Sequence, residues 1–146
     1  MVAKMKARLH GDPTATPAKA DALLRLARAE IAQIKGNGAV DRMKLRQAAN
    51  KGWLALSTGA DAYLCATEGR TVKNRSDVLK VYKKVSQEVA GHAALSYDTL
   101  HIGCGYEDRP SCDRLTIQAG FRLAGQALAA LNRKMPKKVK GCKHVM

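Results

Sequence analysis

The chain has 146 residues, 46% of them hydrophobic, which suits one globular domain with a sizeable core and excludes a disordered chain. Aromatic residues make up 4%, too few for a typical β-sandwich, while abundant alanine favours closely packed helices. Lys and Arg number 26 against 12 Asp and Glu, a net charge of +14 that points to polyanionic partners, nucleic acid first and an acidic protein second.

Residues 1–16 read as a basic lead, with Lys4, Lys6 and Arg8 ahead of a Gly11-Asp12-Pro13 turn signal. This lead has no apolar core of the secretory kind, and no run in the chain approaches the roughly 20 apolar residues that span a bilayer. A cytoplasmic protein without membrane association is the expectation. Thr16-Pro17 is a helix start, Thr16 as N-cap and Pro17 at the first helical position. The first helix is predicted from Pro17 to Lys35, burying Leu23, Ala27, Ile31 and Ile34. Gly36-Asn37-Gly38 stops it.

Asp41 to Glu68 is the long central helix around which the rest is organised. Leu45, Ala49, Gly52, Leu56, Ala60 and Tyr63 recur in steps of three and four, and Trp53, Leu56, Ala60 and Leu64 form a second stripe beside them. Two adjacent apolar faces with small residues mark the central member of a bundle. Asp41 is expected to cap this helix and Gly69 to end it. Ala49, Gly52, Gly59 and Ala60 would admit a second subunit's helix, so a homo-oligomer is expected, although packing within the chain explains the same residues equally well.

A polar connection over 69–75 leads to a third helix capped by Asn74 or Ser76, with Val78, Tyr82, Val85 and Val89 inside. Its register resumes at Ala93, Tyr97, Leu100 and Cys104, so either one helix bent near Gly91 or two short ones are predicted. Gly103 to Pro110 form the last loop. The final helix starts between Ser111 and Asp113, buries Ile117, Phe121, Ala124, Leu128 and Leu131, and stops at Pro136. The sum is an all-α four-helix bundle over 17–134, with disordered basic termini at 1–16 and 135–146.

Candidate binding residues follow from charge. Arg42, Lys44, Arg46 and Lys51 start the central helix, and Arg70, Lys73 and Arg75 follow it. Arg133, Lys134, Lys137, Lys138, Lys140 and Lys143 crowd the C-terminus. Such groups bind phosphates without reading bases, and no aromatic residues are interleaved with them in the sequence as in base-stacking binders. Tyr97, Asp98 and His101 form a weak catalytic constellation, since a carboxylate can orient an imidazole. No nucleophile or metal accompanies them, and His101 reads better as a helix C-cap. Cys65, Cys104, Cys112 and Cys142 offer only half of a zinc spacing, His101-x-x-Cys104 with Cys142-x-His144. Buried thiols are expected instead, oxidised pairs least of all in a cytoplasmic protein. No cofactor or metal is expected.

The helix from Lys44 to Leu56 (Lys44-Leu45-Arg46-Gln47-Ala48-Ala49-Asn50-Lys51-Gly52-Trp53-Leu54-Ala55-Leu56) and the segment Tyr97-Asp98-Thr99-Leu100-His101 to Gly105-Tyr106-Glu107-Asp108 carry a likeness. Their order resembles an uncharacterised family of small bacterial helical-bundle proteins, HEPN-like in architecture, over roughly residues 18 to 132. The resemblance implies a fold more than an activity. Catalytic HEPN proteins are RNases with an Arg four to six residues before a His, and His10, His92, His101 and His144 all lack that Arg. The resulting expectation is a non-enzymatic, self-associating accessory protein that binds RNA or DNA through basic helix ends and tails. The alternatives are a HEPN-like nuclease with a non-standard site around Tyr97, Asp98 and His101, or a purely structural subunit.

Overall fold

The computed structural model describes residues 11–107, 112–136 and 142. Among these residues, five α-helices and one π-helical segment follow in order: α1 (Pro17–Ala32), α2 (Ala39–Glu68), α3 (Arg75–Val85), α4 (Gln87–Ser96), the π-helical segment (Tyr97–Tyr106) and α5 (Arg114–Arg133). There is no strand among the described residues. The all-α class is as expected; the count of four helices is not, because the third expected helix is three elements.

Local chemistry sets most boundaries. Thr16 is extended and its Oγ1 accepts the Lys19 N–H at 3.1 Å, with Pro17 at the first helical position. α1 ends at Ala32, short of Lys35, because the Gln33 and Ile34 N–H groups turn back to Glu30 and Ile31 in a tighter winding. α2 starts at Ala39 with Gly38 as its cap. Asp41 helps from inside the first turn, accepting the Gly38 N–H at 3.3 Å. Gly69 closes α2 at φ 69°, a conformation that glycine adopts without steric cost. Asn74 caps α3 and Asp113 caps α5, through bonds of 2.9 and 2.8 Å to the N–H groups of Asp77 and Thr116.

The break in the third helix lies at Ser86, not near Gly91. Ser86 is fully extended and its hydroxyl accepts the Val89 N–H at 3.0 Å, so a serine side chain competes with the backbone and starts a new helix. Gly91 sits inside α4. From Tyr97 the chain widens into the π-helical winding, and the Glu107 N–H bonds to Ile102 O at 2.7 Å. Gly105 is required there: a side chain on it would lie 2.6 Å from Leu100 O and 2.8 Å from the Asn50 carboxamide carbon.

α2 runs through the middle, against α1, α3, α5 and the π-helical segment. Its buried set includes Leu45, Ala48, Ala49, Gly52, Ala55, Leu56, Gly59, Ala60, Leu64 and Cys65. Each buried leucine contributes about 1.5–3 kcal/mol. The small residues serve neighbours within the chain. A side chain at Gly52 would strike the Phe121 ring at 2.6 Å and Leu100 at 2.9 Å, and one at Gly59 would meet Leu128 and the Tyr82 hydroxyl. Ala49 and Ala60 are wholly buried. This seam therefore packs inside the bundle, where no second subunit's helix can reach it.

Two connections fasten the periphery to α2. The Asp61 carboxylate, 2% exposed, accepts the Asp12 N–H on Oδ2 and the Val72 N–H on Oδ1, both at 2.8 Å. It thereby pins the chain before α1 and the α2–α3 connection. Burial pushes the Asp61 carboxyl up to about 6, opposed by those two N–H donors and helped by the charges of Asp12 and Asp77. The cysteines are the main correction. Cys65 is disulfide-bonded to Cys142 and Cys104 to Cys112, where buried thiols were expected. Spacing along the sequence gave no sign of either pair, because the fold brings Cys142 back onto α2. Residue 142 of the expected tail is thus covalently joined to the bundle. The zinc half-site loses its thiolates to these bonds.

Candidate binding pocket

A pocket of about 520 Å³ lies where the middle of α2, the start of α3 and the π-helical segment meet. Trp53 and Ser57 stand one turn apart on α2 and share a face. Asn74, Arg75 and Ser76 form the lip at the start of α3, Val72 and Val78 are buried apolar lining, and His101 enters from the π-helical segment. The glycine beside Trp53 explains the convergence. With no side chain at Gly52, Leu100 packs directly against α2, and the π-helical segment comes close enough for its rings to reach Trp53.

Three rings meet there. Trp53 and Tyr97 are 4.7 Å apart edge-to-face, Trp53 and His101 5.8 Å apart, and Tyr97 and His101 5.4 Å apart. The Arg75 guanidinium lies 5.4 Å from the centre of the Tyr97 ring and donates to its hydroxyl. The Asn50 side chain donates to Gly105 O at 3.4 Å, and its oxygen lies 3.3 Å from His101 Nδ1. That oxygen accepts from Nδ1–H, which leaves Nε2 as the unprotonated ring nitrogen. Burial, and then the Arg75 charge beside it, hold His101 below the usual histidine range, so the ring is neutral near pH 7. The site can stack a planar ring, offer a guanidinium to an anion, and present hydroxyls and an amide to polar edges.

The expected catalytic group is only partly assembled. Tyr97 and His101 share the ring cluster, while Asp98 is exposed and outside the pocket lining. Asn50, not Asp98, is the side chain facing His101 Nδ1. Nor does His101 cap a helix end, since it lies in the middle of the π-helical segment.

The basic residues divide by what they touch. Arg42 donates to Cys112 O at 2.7 Å, Lys51 pairs with Glu30, and Arg70 bonds Asp77 at 2.8 Å and Glu68 at 3.0 Å. That Arg70 bond, ahead of other effects, holds the Asp77 carboxyl below its usual range. Lys44, Arg46, Lys73, Arg133 and Lys134 are exposed and make no ion pair among the described residues. Lys137, Lys138, Lys140 and Lys143 lie outside the described residues. A second basic concavity of about 450 Å³ lies between the α1–α2 turn and the start of α5, lined by Lys35, Arg42 and Arg114 with Asp113. Arg114 donates there to Ile34 O.

Sequence reasoning missed Trp53, Asn50 and Ser57 as site residues and found no aromatic residues among the basic ones. The rings and Arg75 are far apart along the chain and only the packing at Gly52 gathers them. The π-helical winding, frequent at functional sites, had one local signal in Gly103-x-Gly105. Groups of three or more His, Cys, Asp or Glu able to hold a metal ion are absent among the described residues. No described helix is long and apolar enough to cross a membrane. No family model, curated protein or solved structure matches the chain, so the pocket is read from its own chemistry.

Proposed function

We propose that the chain is a non-enzymatic helical-bundle accessory protein that binds RNA or DNA through phosphate contacts, without reading sequence. The observation that supports this reading is the surplus of exposed cations, since 12 acidic residues are too few to pair with 26 basic ones. Glu30, Glu68, Asp77 and Asp12 each have a cationic partner within the chain. Lys44, Arg46, Lys73, Arg133 and Lys134 have none among the described residues, and the net charge is +14. Exposed cations without acidic partners form the electrostatic footprint of a phosphate binder. Self-association belongs to the proposal through exposed apolar residues where α2 and α5 both begin, Val40, Met43 and Leu115, rather than through the buried small-residue seam. The expected cytoplasmic setting stands against the two disulfides, which fit an oxidising compartment. Phosphate binding is independent of that choice.

The test is a salt titration of the oxidised full chain against mixed-sequence RNA and DNA. Phosphate-driven binding gives log K falling linearly with log salt, with a slope of about −0.9 per contact on duplex DNA. Replacing Lys137, Lys138, Lys140 and Lys143 by Gln, which keeps Cys142, separates the tail's share from that of the bundle. Absence of binding at low salt would sink the reading. A second reading has one observation in its favour: Arg75 and His101 line the same pocket and His101 Nε2 is unprotonated, as a general base requires. RNA cleavage by the wild type that His101→Ala abolishes would replace the accessory reading with a nuclease.

A further inference from the structure

We infer that the pocket between α2, α3 and the π-helical segment takes one unstacked base of a single-stranded nucleic acid, giving the protein a preference for single strands over duplex. The inference rests on the phosphate-binding reading and adds a second, uncharged component to it.

Four features of the pocket carry it. It holds about 520 Å³, within the range of small-ligand sites and open to solvent at the α3 lip. Trp53 and His101 line it, and Tyr97 braces Trp53 from its edge at 4.7 Å, so the stacking surface is held in place before any ligand arrives. Arg75 stands at the rim, exposed, with its guanidinium steadied by the Tyr97 hydroxyl, where a phosphate flanking the base would pass. Ser57, Ser76 and Asn74 offer donors and acceptors without the fixed fork that would select one base. Rings beside a guanidinium are how proteins hold bases of single strands irrespective of sequence, since every base has a π-face. A paired base keeps its faces within its own stack and cannot enter a concavity. An acidic protein segment would use the cations but leave the rings without a partner. Asp77, two residues after Arg75, is bound to Arg70 through both oxygens and does not oppose a phosphate at Arg75. The neutral state of His101 suits a ring that is stacked upon.

Trp53 is the chain's single tryptophan, so its fluorescence reports this pocket alone. The oxidised full chain is titrated with a twelve-nucleotide oligothymidylate, a twelve-base-pair duplex and poly-glutamate. The expected result is saturable quenching by the oligothymidylate, with little change from duplex or poly-glutamate. Trp53→Leu then weakens oligothymidylate binding about tenfold, leaves duplex affinity and salt slope unchanged, and Trp53→Phe restores most of the loss. Equal binding of single strand and duplex with no change in emission overturns the inference while the phosphate reading stands. Quenching by poly-glutamate equal to that by the oligothymidylate also overturns it, since charge alone would explain the signal. No binding of either nucleic acid at low salt removes the phosphate reading itself. The wild-type emission answers the question even if the leucine variant folds poorly.

Discussion

The two basic concavities use arginine in opposite ways. Between the α1–α2 turn and α5, Arg42 and Arg114 donate to the main-chain carbonyls of Cys112 and Ile34, closing one end of the bundle. In the pocket at α3, Arg75 donates to the rim hydroxyl of Tyr97 and stays exposed beside three rings. The first arrangement turns positive charge into structure and the second leaves it facing solvent. Net charge by itself cannot tell them apart, because both regions look equally basic in sequence. What differs is the acceptor each guanidinium finds. The Cys104–Cys112 disulfide joins the two regions, linking the π-helical segment to the carbonyl that Arg42 holds.

The largest expected effect tests whether the pocket wall is as firmly held as the other end. Val72 lines the pocket, and its N–H bonds to Asp61. The Asp61 carboxyl is raised from 3.8 to about 6 in the folded protein, chiefly by burial. Between those values the native state keeps a proton that the unfolded state has lost. The stability that this proton supplies is therefore fully present below about pH 4 and is lost as pH rises through about 6, by at most about 3 kcal/mol. Urea unfolding at pH 4, 5, 6 and 7 measures this, and Asp61→Asn should flatten that portion of the profile. Asp61→Ala leaves two N–H groups unpaired at a cost of about 2–4 kcal/mol. An Asp61→Asn profile parallel to the wild-type one from pH 4 to 7 would contradict the buried-acid account.

The next effect separates the two arginines directly. Arg114→Ala should cost about 1–2 kcal/mol by removing the charged donor to Ile34 O, and leave nucleic-acid affinity unchanged where the variant is folded. Arg75→Ala should change the melting temperature little, since its bond is exposed, and weaken oligonucleotide binding several-fold. Melting curves and binding isotherms on both variants give the comparison. If both lose stability and neither loses affinity, the contrast between the two concavities fails.

Sequence disclosed the scaffold better than the site, and the reason is range. Thr16, Asn74, Asp113 and Gly69 act on backbone groups within a few residues, so their signals are local and were legible. So was the small-residue seam of α2, because its period is written in one helix. Ser86 was misjudged because a glycine at 91 looked the better breaker, whereas a serine with an open backbone donor three residues on is the stronger one. The disulfides and the ring cluster depend on which elements meet. Cys65 with Cys142, or Trp53 with Tyr97 and Arg75, cannot be paired before α2 has gathered its neighbours. Asp61 was hidden among apolar residues of α2 and shows its role only once Asp12 and Val72 point their N–H groups at it.

The smallest expected effect concerns the exposed cations at the start of α2, the part of the proposal most exposed to a bland explanation. Lys44 and Arg46 could simply solvate a helix end, as surface charges usually do. Neutralising both to Gln should not alter stability beyond about 0.5 kcal/mol, because neither makes an ion pair among the described residues. On duplex DNA the salt slope should drop by about 0.9 for each residue that touches a phosphate. A drop near 1.8 assigns both to the interface. An unchanged slope would confine the contacts to the α3 lip and the tail, and the two concavities would then differ completely, one end of the bundle binding and the other only holding the fold together.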